Sequence, residues 1–119
     1  MLKEKISAFI EQVQSINGVA ACALVSRDGI IAGKSFDRDL NEPWFGALSA
    51  TILASAESVG SIIRMKSMSS VMIRAEDSSI IIMGAGENFL IAAIVAPAAD
   101  TEKIHAQMLT VTRKIAEAM

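Results

Sequence analysis

A single cysteine and a single histidine occur in this chain, Cys22 and His105. One cysteine excludes an intrachain disulfide. One histidine, with no cysteine at ligand spacing, leaves a metal centre without its usual donors. Excess charge of either sign is also missing, since eleven Lys and Arg stand against thirteen Asp and Glu, for a formal net charge of −2. That balance does not attract nucleic acid, and Arg64, Lys66 and Arg74 form only a small patch. The charged start, Met1 to Lys5, leads into an amphipathic stretch and not into an uninterrupted apolar signal core, so a cytoplasmic location is expected.

Apolar surface, by contrast, is abundant. Hydrophobic residues make up 52% of 119 residues, a high share for a chain long enough for one core and too short for two. Residues 1–119 therefore read as one domain whose excess apolar surface goes into oligomer contacts. Most of that excess lies between Pro43 and Met65, a predicted helix with Glu57 as its only charge before Arg64. At about 100° per residue, Trp44, Phe45, Leu48, Ile52, Val59, Ile62 and Ile63 fall on one arc. Ala47, Ala50, Thr51, Ala54, Ser58 and Ser61 gather on another. The expectation is that the large residues pack on the subunit's own sheet, while the small ones let a second helix come close. The stretch also has the length of a membrane span. Against that reading stand Glu57, four serines (Ser49, Ser55, Ser58, Ser61) and the lack of a Lys or Arg cluster at its start.

Around this helix the pattern is regular. Leu2 to Ser15 carries Ile6, Phe9, Ile10 and Val13 at helical spacing and ends at Asn17-Gly18. Val19 to Val25 is an apolar strand, Ser26-Arg27-Asp28-Gly29 a turn, and Ile30 to Gly33 the return strand. A charged loop, Phe36 to Glu42, offers Asn41 or Glu42 as a helix cap before Pro43. Ser69 to Ala75 alternates, with Val71 and Ile73 on one side. Ser79 to Ala85 and Phe89 to Ala96 are apolar throughout. Pro97 ends the sheet, and Asp100 caps a last helix carrying Ile104, Met108, Val111, Ile115 and Met119.

The order is α-β-β-α-β-β-β-α, an α+β chain with antiparallel pairing across its short connections. Strands apolar on both faces belong at the centre of a covered sheet, so the first and fifth are neighbours and the strand order is 2-1-5-4-3. The third strand is then an edge without proline or central lysine to protect it. Edge and small-residue arc together predict a homodimer joined through Ala47, Ala50, Thr51, Ala54, Ser58, Ser61, Val71 and Ile73.

Familiar catalytic signatures fail on spacing. Gly29-Ile30-Ile31-Ala32-Gly33-Lys34-Ser35 has three residues between its glycines where a phosphate loop needs four, and no helix follows. Gly84-Ala85-Gly86 lacks the third glycine of a dinucleotide fingerprint and leads into a strand. Asp37, Asp39 and Asn41 open like a calcium loop, but Glu42 and Leu48 stand where glycine and a bidentate glutamate are required. Cys22 reads as a small core residue, His105 as a surface residue, and Met65, Met68, Met72 and Met83 as packing. No catalytic group, metal or cofactor is expected.

The apolar strand Gly18 to Val25, the turn and return Ser26-Arg27-Asp28-Gly29-Ile30-Ile31-Ala32, the long Ala/Ser helix and Ile80 to Val95 around Gly84-Ala85-Gly86-Glu87-Asn88 resemble the Roadblock/dynein light chain family, in particular its MglB-like prokaryotic branch. The likeness covers nearly the whole chain. It implies a five-stranded antiparallel sheet with the long helix on one face and the terminal helices on the other. It further implies a homodimeric, non-enzymatic platform that binds a small Ras-like GTPase and modulates its nucleotide cycle. The alternative implied role is a structural adaptor assembling with other Roadblock-like proteins. On the arc of the long helix expected to face outward, Ser49, Leu53, Glu57, Gly60 and Arg64 are the residues assigned to the GTPase. Direct membrane insertion and nucleic-acid binding are not expected.

Overall fold

The computed structural model describes residues 1–36 and 39–119. Its elements are α1 (Leu2–Gln14), β1 (Val19–Ser26), β2 (Ile31–Ser35), α2 (Glu42–Ile62), β3 (Ser70–Arg74), β4 (Ser79–Ala85), β5 (Phe89–Val95) and α3 (Thr101–Ala118). The five strands form one antiparallel sheet in the order β2-β1-β5-β4-β3. The expected α+β architecture and strand order are both present. Asp37, one of the three residues with calcium-like spacing, lies outside the described residues.

Caps and turns set the boundaries. The Asn41 side chain accepts a hydrogen bond from the Trp44 amide at 3.2 Å, with Pro43 in the first turn, and Asp100 does the same for Lys103 at 3.1 Å. At its other end α2 stops at Ile62, short of the expected Met65. The Met65 amide donates to the Gly60 carbonyl at 2.9 Å and the Arg64 amide to the Ser61 carbonyl at 3.1 Å. These two bonds form a Schellman cap in which Arg64 takes the left-handed position, φ 59°, usually given to glycine.

Period-two alternation divides the sheet's side chains into two layers. Cys22, Leu24, Ile81, Met83, Ile91, Ala93 and Val95 pack with Phe9, Ile10 and Val13 of α1 and with Ile104, Met108, Val111 and Ile115 of α3. On the opposite face Ala23, Val25, Ile82, Leu90 and Ala92 pack with Ala50 and Leu53 of α2. One long helix thus covers one face and the two terminal helices the other.

The orientation of α2 about its axis is the reverse of the expected one. Its inward residues are Gly46, Ser49, Ala50, Leu53 and Gly60, while Trp44, Leu48, Val59, Ile62 and Ile63 are exposed. Only Phe45 and Ile52 of the large-residue arc reach the core, at its flank. The cause lies in the floor beneath the helix, where Ala23 and Ala92 face each other across β1 and β5. Alanines opposite small helix residues let the backbones close in, and Leu53 fills the remaining space. The approach is tight enough that a Cβ on Gly46 would lie 2.5 Å from the Gly29 carbonyl oxygen and 3.1 Å from Cγ1 of Ile31.

By length and composition α2 could cross a membrane. Here its inner side is committed to the sheet of its own subunit, and Glu57 is ion-paired to Arg27.

Candidate partner-binding surface

The outer side of α2 carries a row of large apolar side chains, with Trp44 63% exposed, Leu48 51%, Val59 61% and Ile62 81%. Helical spacing aligns them, and Thr51 and Ser55 complete the stripe between them. Thr51 donates its hydroxyl to the Ala47 carbonyl at 2.9 Å, so at that point the stripe presents a methyl group. Ile63 and Met65 extend the apolar surface past the C-terminal end, and Ile30 is exposed on the β1–β2 turn. A Cβ on Gly29 in that turn would lie 2.8 Å from Cα of Ala47, so the turn abuts the start of α2.

The residues assigned to a GTPase from the sequence are mostly out of reach. Leu53 is 1% and Ser49 4% exposed, and Gly60 is buried under its own helix end, with Met65 Sδ 3.7 Å from where a Cβ would stand. These three are corrected to the inner face, because the side of α2 laid on the sheet is the one that carries Gly46, Ser49, Ala50, Leu53 and Gly60. Glu57 is half-buried and Arg64 is exposed. Among the residues assigned to a dimer, Ala50 is also corrected to the core, and Val71 packs beneath α2. Ala47, Thr51, Ala54, Ser58, Ser61 and Ile73 are exposed.

Sequence reasoning missed Arg27. Its Nη1 donates to Glu57 Oε1 at 2.9 Å and its Nη2 to the Gly86 carbonyl at 2.8 Å, joining the β1–β2 turn, α2 and the end of β4. A Cβ on Gly84 would stand 2.9 Å from Arg27 Nη2, so this glycine leaves room for a guanidinium. The readable signal was Gly84-Ala85-Gly86, which the sequence presents only as a turn.

His105 also has a role that was not expected. Its Nε2 lies 2.9 Å from Ser70 Oγ and 3.4 Å from Ser69 Oγ, tying α3 to the start of the edge strand. Burial pushes the Cys22 thiol up to about 11 and so keeps it protonated. It is an inert core group, 3.8 Å from the Ile10 carbonyl. Among the described residues no three His, Cys, Asp or Glu side chains cluster as metal ligands would.

A three-layered α+β fold, with its sheet order and its long helix laid bare on the outer side, defines the class. The chain belongs to the Roadblock/LC7 domain family, which it matches over residues 5–96. Solved structures agree in fold. The gliding protein MglB of Thermus thermophilus superposes with a TM-score of 0.84 at 14% identity, over 96% of this chain and 87% of that one. Myxococcus xanthus MglB gives 0.87 at 11% identity, over 96% and 94%. MglC of Myxococcus xanthus gives 0.58 at 16% identity, over the full length of both. At such identities the likeness is one of fold. No curated protein matches the sequence significantly.

Proposed function

We propose that this chain, acting as one domain over residues 1–119, is a non-enzymatic, homodimeric platform in the cytoplasm that docks a small Ras-like GTPase and modulates its nucleotide cycle. The observation that carries this reading is the apolar row Trp44, Leu48, Val59 and Ile62 on the side of α2 turned away from its own sheet. Large apolar side chains exposed along one helix face mark a protein-binding site, and tryptophan is among the residues that dominate such interfaces. The GTPase as partner rests on the family resemblance. The docking row replaces the surface expected around Leu53.

The second copy takes the flank of α2 and the edge of the sheet. Ala47, Ala54, Ser58 and Ser61 form an exposed run of small side chains that lets two helices lie side by side, with Thr51 at its rim. Beside it β3 pairs, among the described residues, only with β4, so its outer edge is free, and Ile73 is exposed on it. Two such edges, joined about a two-fold axis, continue the sheet from one subunit into the next.

Calorimetry with Ras-like GTPases from the same cell, in GDP- and GTP-analogue-bound states, tests the platform. Leu48→Asp should abolish measurable binding, and Trp44→Ala should cost about 2 kcal/mol or more, while both variants remain dimers. Trp44 is the only tryptophan, so its fluorescence should shift to the blue when the complex forms. Wild-type affinity in Leu48→Asp would place the partner elsewhere.

The free edge of β3 favours a second reading, a structural adaptor that pairs with other Roadblock-like proteins through that edge. Heterodimers in native mass spectrometry, formed in preference to the homodimer, would support it.

A further inference from the structure

Where β3 begins, β4 has not yet ended. Ser70 pairs with Met83, the last contact between the two strands, yet β4 runs on to Ala85 and pairs with β5 through Gly84 and Ala85. Beyond Met83 the β3 side of β4 is therefore free of a strand neighbour. The chain that would have covered it, Ser67 to Ser69, turns away instead, with Ser67 in the left-handed conformation at φ 54°. A cleft of about 420 Å³ opens there, bounded by this linker, by Gly84 and Gly86, and by Thr112 and Arg113 of α3.

Three properties of the cleft converge. Its strand edge ends in Gly84 and Gly86, which add no side chains of their own, with the Arg27 guanidinium lying against Gly84 and Ala116 against Gly86. Its floor includes apolar atoms of Met68, Leu109 and Ala116. Its charge is positive, because Arg27 and Arg113 face one carboxylate, that of Glu57, which Arg27 already holds. Among the described residues Arg113 has no carboxylate within ion-pair distance.

We propose that this cleft takes an extended, acidic segment of a protein partner, which adds alongside the free end of β4 and places a carboxylate on Arg113. Main-chain hydrogen bonds to the strand edge supply sequence-independent affinity, and the arginine selects for negative charge. The site is separate from the apolar row of α2, since it uses the end of the sheet and α3, and only Glu57 of α2 reaches it.

Two capped pentapeptides test it, one alternating valine with aspartate and glutamate and the other alternating valine with lysine. Each is titrated into the ¹⁵N-labelled full chain. The acidic peptide should give saturable shifts at the Gly84, Ala85 and Gly86 amides that weaken with added salt, and the lysine peptide should give none. Arg113→Glu should weaken acidic-peptide binding by about tenfold, the loss of one charge-assisted contact, and Arg113→Lys should restore part of it. Arg113 is exposed, so both variants are expected to keep the wild-type spectrum elsewhere. Absence of shifts, equal shifts from the lysine peptide, or the same shifts from inorganic phosphate alone would each overturn the proposal, the last by showing a small-anion site.

Discussion

Leu53 shows how far one residue's role depends on what lies opposite it. By helical spacing it stood apart from the large hydrophobes, which made it look like the exception on an outward surface. In the structure it is the residue that fills the space over Ala23 and Ala92. Leu53→Ala should therefore lower stability by about 2–5 kcal/mol in urea unfolding, which a surface leucine would not do. Cys22 makes a prediction of a different kind. Its thiol ionises near 9.0 ordinarily and near 11 when buried. As pH rises past 9 the unfolded chain gives up its proton first, so the native state loses stability between these values, by roughly 2–3 kcal/mol. Cys22→Ala should flatten that part of the pH profile relative to the wild type. The buried, unreactive character of Cys22 was legible because both its neighbours and its strand are apolar. Arg27 was not legible, because nothing local connects a turn arginine to Glu57 thirty residues on or to a carbonyl at Gly86.

For whole elements, hydrophobic pattern fixed existence and type but left one rotation open. The strands were readable because alternation, turn residues and continuous apolar runs all gave the same boundaries within a residue or two. On the long helix the usual rule that the greasier side turns inward selected the arc of large residues, and the structure turns that arc out. The deciding information was the alanine floor on β1 and β5, which becomes visible only when the two strands are paired. Gly46→Ala tests the closeness of this packing. The added methyl would meet a backbone oxygen at 2.5 Å, so a loss of about 1–3 kcal/mol in unfolding experiments is expected, against the gain that alanine brings to an open helix. The other end of α2 offers the opposite outcome. Arg64 holds the left-handed cap with its side chain exposed, so Arg64→Gly should raise stability by about 0.4–1 kcal/mol.

At the scale of the molecule, the small-residue flank and the β3 edge are where the proposed second copy would sit. Ala54 is exposed on that flank, so Ala54→Trp should leave the fold intact and shift sedimentation equilibrium toward monomer. A dimer of unchanged affinity would exclude the flank as the seam. Because the family resemblance and the apolar pattern draw on the same residues, the fold could be reached from either. The exposed apolar row of α2, the proposed docking surface, could be reached from neither until the rotation of α2 was known. The strand order has a further consequence, for how the chain comes off the ribosome. The centre of the sheet joins Val19–Ser26 to Phe89–Val95, so about half of the chain must be made after β1 before its second neighbour exists. Until then the β1–β2 hairpin has one open side, and α2 has no complete floor to lie on. Non-local pairing of this sort slows folding and leaves apolar segments uncovered during synthesis. A nascent chain stalled after α2 should therefore be readily cleaved by protease, and protection should arrive in a single step once β5 has emerged.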